Sequence, residues 1–189
     1  RGFSMIFPSI AARGRRSDVT VTEFRIEHDL LGDREVPSDV YWGVHTLRAV
    51  ENFPVTRIAI STYPDLIRAL ADIKAAAAQA NCELGLLAPD LAEAIVAAAR
   101  EIRAGKLHDQ FVVDVIQGGA GTSTNMNANE VIANLALEAM GRAKGDYKAL
   151  HPNNDVNMAQ STNDAYPTAI RLGLLLGHNT LLASLDSLI

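Results

Sequence analysis

Cysteine is nearly absent from this chain: of 189 residues only Cys82 carries a thiol. A lone cysteine closes no internal disulfide, and such usage suits a reducing, cytoplasmic setting. A basic surplus is lacking too. The net charge is −5, with no basic face beyond the N-terminal arm, which argues against a nucleic-acid partner. No run of 20 apolar residues free of charge occurs, so no membrane span is expected. An initiating methionine is missing, and residues 1–16 carry four arginines without one acid. That composition fits a transit peptide, and equally a cloning remnant or a mis-assigned start. We expect residues 1–22 to be an extension without ordered structure. What remains is 48% hydrophobic and 21% charged, an ordinary globular balance with enough chain for a real core.

Glycine and proline punctuate the rest into segments. Residues 23–37 alternate around Gly32, which predicts a small hairpin or extended arm. Val44, Leu47 and Val50 fall three apart and predict a short helix ahead of Pro54, carrying His45 and Arg48. Pro64 opens an alanine-rich helix with Leu66, Leu70, Ile73 and Ala77 on one stripe, stopped at Gly85. Pro89 opens another, with Leu91, Ile95, Ala98 and Ile102 in register, stopped at Gly105. Their alanine faces suit a closely packed antiparallel pair.

Phe111 to Ile116 has strand propensity but runs into Gly118-Gly119-Ala120-Gly121, a backbone built for positive φ or close approach. Thr122-Ser123-Thr124-Asn125 follow, then a helix expected from about Met126 to Met140. A glycine turn delivering hydroxyls to a helix N-terminus is anion-site geometry. It has neither the lysine of a phosphate loop nor the spacing of a dinucleotide fingerprint.

Residues 151–164, His-Pro-Asn-Asn-Asp-Val-Asn-Met-Ala-Gln-Ser-Thr-Asn-Asp, form a polar stretch without lysine or arginine. Its amides and hydroxyls can donate to a small anion, and they can equally make an ordinary helix cap. A final helix is expected from Asn163 or Asp164, with Pro167 in its first turn. Its leucines cover most of the circumference, as in a helix buried within a bundle or at a subunit interface.

Two stretches, 119–127 (Gly-Ala-Gly-Thr-Ser-Thr-Asn-Met-Asn) and 151–164, resemble signature regions of the fumarase/aspartase superfamily. Residues 32–37 (Gly-Asp-Arg-Glu-Val-Pro) and 43–54 (Gly-Val-His-Thr-Leu-Arg-Ala-Val-Glu-Asn-Phe-Pro) narrow the resemblance to its aspartate ammonia-lyase branch. Class II fumarases typically carry Ser where Ala120 and Thr162 stand, and Gln where His45 stands.

The resemblance implies an all-α fold, with residues 23–150 as an N-terminal lyase domain and 151–189 as the first long helix of a central bundle, cut short. It implies reversible elimination of ammonia from L-aspartate to give fumarate, in a homotetramer, without cofactor or metal. Thr122, Ser161 and Thr162 would bind the β-carboxylate and Asn163 the amino group. His151, Asn153 and Asn154 resemble a second anion site, and Arg48 is a further candidate for a substrate carboxylate. The serine base and the α-carboxylate grip belong to segments that follow residue 189 in the family. We therefore expect no catalytic base in this chain, and no activity from it alone. The rival readings are a class II fumarase and an inactive helical piece.

Overall fold

The computed structural model describes residues 23–117 and 119–188; the expectation for residues 1–22 lies outside them. Strands β1 (Phe24–Asp29) and β2 (Gly32–Pro37) form the expected hairpin, antiparallel with Asp29 opposite Gly32 across a two-residue turn. Among the described residues all other regular elements are helical. They are α1 (Val44–Asn52), α2 (Pro64–Glu83), α3 (Pro89–Arg103), α4 (Thr122–Ala139) and α5 (Thr162–Asp186). Short 3₁₀ turns lie at Ile60–Thr62 and His108–Gln110, and one π turn at Pro152–Val156. Among the described residues no helix is long and apolar enough to cross a membrane.

Proline opens α2 and α3 where the sequence places it, because the missing N–H falls among groups that have no intrahelical acceptor. The two helices pack along their length, and Arg103 at the end of α3 reaches back to Asp72 of α2 at 2.7 Å. The buried face of α2 is not the predicted stripe. Of that stripe only Leu70 is enclosed, together with Ile67, Ala69, Ala71, Lys74, Ala78 and Asn81, while Leu66, Ile73 and Ala77 are half-buried. The cause is a second neighbour: α2 lies against both α3 and α5, so its enclosed face turns toward α4 and the polar stretch, and it includes a lysine.

Phe111 to Ile116 forms no strand of a sheet. Its backbone makes an isolated bridge between Ala59 and Asp114, and its length goes into anchoring the turn before α2. Phe111 and Val113 fill the core with Ile67, Leu70, Ile95, Ile102, Ile132 and Leu137, each essentially inaccessible. Burial of each such side chain contributes roughly 1.5–3 kcal/mol.

Helix α4 is the hub, with residues 127–137 buried on every face. Three of its buried polar side chains each clamp a different loop. Asn127 takes the Val112 N–H and donates to the Gln110 carbonyl. Glu130 accepts the N–H groups of Gly43, His45 and Thr46. Asn134 donates to the Tyr41 carbonyl and accepts the Gly145 N–H. Loops that would otherwise bury unpaired backbone groups are thereby satisfied from one rod.

Helix α5 packs its first half on α2. At Gly173 a Cβ would stand 3.3 Å from the Asp65 carbonyl and the Leu66 backbone, so the absence of a side chain sets that approach. Beyond it Leu176 still packs on the core, but the other leucines face outward: Leu174 and Leu175 are about 70% exposed, and Leu181, Leu182, Leu185 and Leu188 are also bare.

Candidate active site

Helix α4 begins at Thr122, four residues earlier than the apolar pattern predicts, because Thr122 to Asn125 join the helix rather than precede it. Gly121 takes φ +83° at the helix entrance, and a Cβ there would overlap the Tyr166 ring. Both the turn and the contact with α5 therefore require glycine. No side chain of the capping residue bonds the first turn of α4. Instead Gln117 reaches across, accepting the Thr124 N–H at 2.9 Å and donating to the Thr124 hydroxyl at 2.5 Å.

Helix α5 begins at Thr162, so Pro167 is its sixth residue and not part of the first turn. Proline there cannot donate to the carbonyl four residues back, which is that of Asn163. Ser161 caps the helix in a reciprocal box: its hydroxyl oxygen accepts the Asn163 N–H at 3.2 Å, and Asp164 accepts the Ser161 N–H. The Thr162 oxygen accepts from Asn125 Nδ2 at 3.3 Å. Each hydroxyl oxygen is occupied as an acceptor, so each hydroxyl proton is turned away from that partner and is available to donate.

The starts of α4 and α5 meet across a cleft of about 510 Å³ lined by Gln117, Gly119, Ala120, Gly121, Asn163 and Tyr166, among others. Thr122 stands at its glycine rim, with its hydroxyl 3.6 Å from where a Gly119 Cβ would lie. Two helix N-termini carry partial positive charge toward this space. Of the predicted site residues Asn163 alone is part of the lining of this cleft; Thr122 stands beside its glycine turn, and Ser161 and Thr162 precede Asn163 at the cap of α5, where Asn125 holds Thr162. A second groove of similar volume, about 520 Å³, lies between α2 and α5, is mainly apolar, being lined by Leu66, Ile170 and Leu174 among others, and includes none of the predicted site residues.

His151 sits apart from this cleft. Its Nδ1 accepts the N–H groups of Asn153 at 3.0 Å and Asn154 at 3.2 Å, so the ring is the neutral Nε2–H tautomer in this geometry. Burial lowers its pKa, with Asp155 opposing the shift. Those two backbone donors are engaged internally, which leaves the Asn153 and Asn154 side chains, both exposed, as the outward groups of this turn. Arg48 is committed elsewhere. It makes a two-point contact with Asp29 at 2.7 and 2.8 Å and a third to the Gly32 carbonyl, fastening α1 to the hairpin. The hydrogen bond from Arg48 lowers the Asp29 pKa. His45 is exposed on the same helix, its N–H held by Glu130. Among the described residues no group of three His, Cys, Asp or Glu side chains is gathered to hold a metal ion.

Sequence reasoning misses the layer behind the cleft. Lys74 is wholly buried and donates to Asn125, Asn157 and Gln160. Burial draws its pKa down to about 7, while the Asp164 carboxylate pulls it back up. One signal was present: Lys74 lies four residues from both Leu70 and Ala78, a charge at an enclosed position of an alanine-rich helix. Ala159, in the same loop, holds φ +55°, a left-handed backbone that alanine rarely adopts.

The sequence profile of the lyase family matches residues 32–189. The chain is 69% identical over 169 residues to an aspartate ammonia-lyase from Pseudomonas aeruginosa, covering 89% of this chain and 36% of that protein. With an aspartate ammonia-lyase from Corynebacterium glutamicum the identity is 56% over 167 residues, covering 88% and 32%. Among solved structures, a fumarate lyase:delta crystallin from Brucella melitensis superposes with a TM-score of 0.86 at 58% identity, covering 87% of this chain and 38% of that one. A class II fumarase from Schistosoma mansoni superposes with a TM-score of 0.74 at 37% identity, covering 80% and 32%. The chain spans about a third of the length of the relatives it matches.

Proposed function

Because the chain belongs to the lyase family, we propose that the protein it forms part of is an aspartate ammonia-lyase, eliminating ammonia from L-aspartate to give fumarate. It would work as a cytoplasmic homotetramer. The observation that carries this reading is the pair of hydroxyls at the start of α5. Ser161 and Thr162 have their oxygens taken by the Asn163 N–H and Asn125 Nδ2, and so keep their protons for an incoming anion. The helix cap and the anion site are therefore one arrangement. Support for aspartate over malate comes from the aspartate ammonia-lyase relatives and from Ala120, Thr162 and His45.

Removal of a Cβ proton turns the β-carboxylate into a doubly charged aci-carboxylate. Donors already oriented toward that charge need not reorganise as it develops, which is why they accelerate the step. Thr122, Ser161 and Thr162 take this role. Asn163 takes the amino group. The base that removes the proton and the grip on the α-carboxylate come from outside this chain, so the site is completed by other segments and, in the tetramer, by other subunits.

The test uses the full-length protein and follows fumarate absorbance with L-aspartate and with L-malate. Thr122→Val and Thr162→Val should each lower kcat/KM by about 3 kcal/mol of transition-state stabilisation, two to three orders of magnitude. Asn163→Ala should act on aspartate recognition, with the larger change in KM. Turnover of malate and none of aspartate would move the reading to a fumarase. Near-native kinetics in all these variants would reduce the segment to a helix cap.

A further inference from the structure

The polar stretch itself contains no cation, yet one stands directly behind it. Lys74 of α2 is 0% exposed, and its Nζ lies 2.8 Å from each of three amide oxygens: Asn125 Oδ1, Asn157 Oδ1 and Gln160 Oε1. An ammonium has three protons to give and nothing to accept with, so three acceptors at equal distance complete it. A neutral amine would turn a lone pair on one of them. Asn125, itself 1% exposed, is the link to the cleft. Its oxygen takes Lys74, and its amide nitrogen donates to Asn157 Oδ1 at 3.0 Å and to Thr162 Oγ1 at 3.3 Å. Drawing electron density toward the cation makes that amide nitrogen a better donor, since hydrogen bonds in a chain polarise one another. The other two acceptors flank Ala159, whose left-handed backbone persists only where its surroundings fix it.

We propose that Lys74 is a positioning residue of the anion site: through Asn125 it aims the Thr162 hydroxyl at the substrate carboxylate and keeps a positive charge one side chain behind it. The proposal rests on the reading that Thr162 binds that carboxylate. A bound carboxylate carries one negative charge and the aci-carboxylate carries two. A fixed cation in a dry layer therefore stabilises the transition state more than the ground state, and its loss falls on kcat more than on KM. Lys74 touches no reacting atom. Its effect reaches the substrate only through Asn125 and Thr162.

The experiment is steady-state kinetics of the full-length enzyme with L-aspartate, on Lys74→Met, Lys74→Arg, Thr162→Val and the double variant Lys74→Met/Thr162→Val, with melting temperature and sedimentation recorded for each. Lys74→Met should lose on the order of a hundredfold in kcat with KM changed only a few-fold. Lys74→Arg should recover part of that loss by restoring the charge. With Thr162 already replaced, Lys74→Met should cost far less than it does alone, because residues acting as one unit are not additive. If Lys74→Met does not fold, Asn125→Ala cuts the same link and should show the same split between kcat and KM. Wild-type kcat in the variants, or an equal loss with and without Thr162, overturns the role of Lys74 alone. A full-length wild type that turns over no aspartate overturns the underlying reading, and this proposal with it.

Discussion

His151 shows how a residue picked out by motif can be explained by its immediate partners. Two backbone N–H groups converge on Nδ1, a bond made only by the neutral ring, and burial lowers the pKa from its ordinary 6.5. The folded protein then binds fewer protons at this site than the unfolded chain just below pH 6.5. Stability is present above that value and falls as pH drops through it toward the folded pKa, levelling off below. In His151→Gln the side-chain oxygen can still accept, but nothing titrates. The melting temperature of this variant minus that of the wild type should therefore rise as pH is lowered from 7.5 to 5. A constant difference would mean that His151 is no more protected from protonation than an exposed histidine. The titration itself is not legible in the sequence, since it depends on two N–H groups whose direction is fixed only by the turn at Pro152–Val156.

At the scale of elements, α4 explains why so many asparagines occur in one helix. Asparagine is a mediocre helix former, and a run with Asn125, Asn127, Asn129 and Asn134 reads in sequence as loop-prone. Buried, Asn125, Asn127 and Asn134 each answer a loop backbone or a neighbouring polar group, whereas Asn129 reaches only the Met126 sulfur of its own helix, and the helix is stable because it is surrounded. The same fact accounts for the late start predicted at Met126. The residues before it look like a polar turn, and only Gln117, folding back on Thr124, reveals them as the first turn. Glu130 is the strongest case. Burial pushes its pKa up, and the Glu27 carboxylate adds to that, yet its two oxygens collect three N–H groups from the start of α1. Glu130→Ala leaves all three without an acceptor, at about 1–3 kcal/mol each. Unfolding by urea should show a loss of at least about 3 kcal/mol, with Glu130→Gln losing less because one acceptor oxygen remains. A loss under about 1 kcal/mol would mean that water reaches these groups.

For the molecule as a whole, the distinguishing feature is where α5 points. Its first half is held against α2, with Leu176 packed on the core, while Leu174, Leu175, Leu181, Leu182, Leu185 and Leu188 face outward at exposures from 43% to 82%. A row of bare leucines along several turns exceeds what an isolated soluble domain normally leaves uncovered. The 189-residue chain produced by itself is therefore expected to self-associate. Sedimentation of the purified chain should show oligomers or aggregates, and Leu175→Lys with Leu182→Lys should shift it toward monomer. A clean monomer from the unaltered chain would mean that α5 folds back on itself or on its own core.

Local physical chemistry is enough to bound most of this protein. Pro64 and Pro89 announce helix starts and Gly85 and Gly105 their stops, because the backbone constraints of those residues act within a turn or two. The hairpin at Gly32 and the hydroxyl-amide signatures at 122 and 161–163 are legible for the same reason. What only the tertiary structure decided is the identity of neighbours distant in the chain. Lys74 meets Asn125, Asn157 and Gln160 across separations of 51, 83 and 86 residues, and no local pattern encodes those encounters. Packing turned α2 so that its lysine was enclosed, and enclosure in a low-dielectric layer, more than residue type, is what gives that charge its leverage on the cleft.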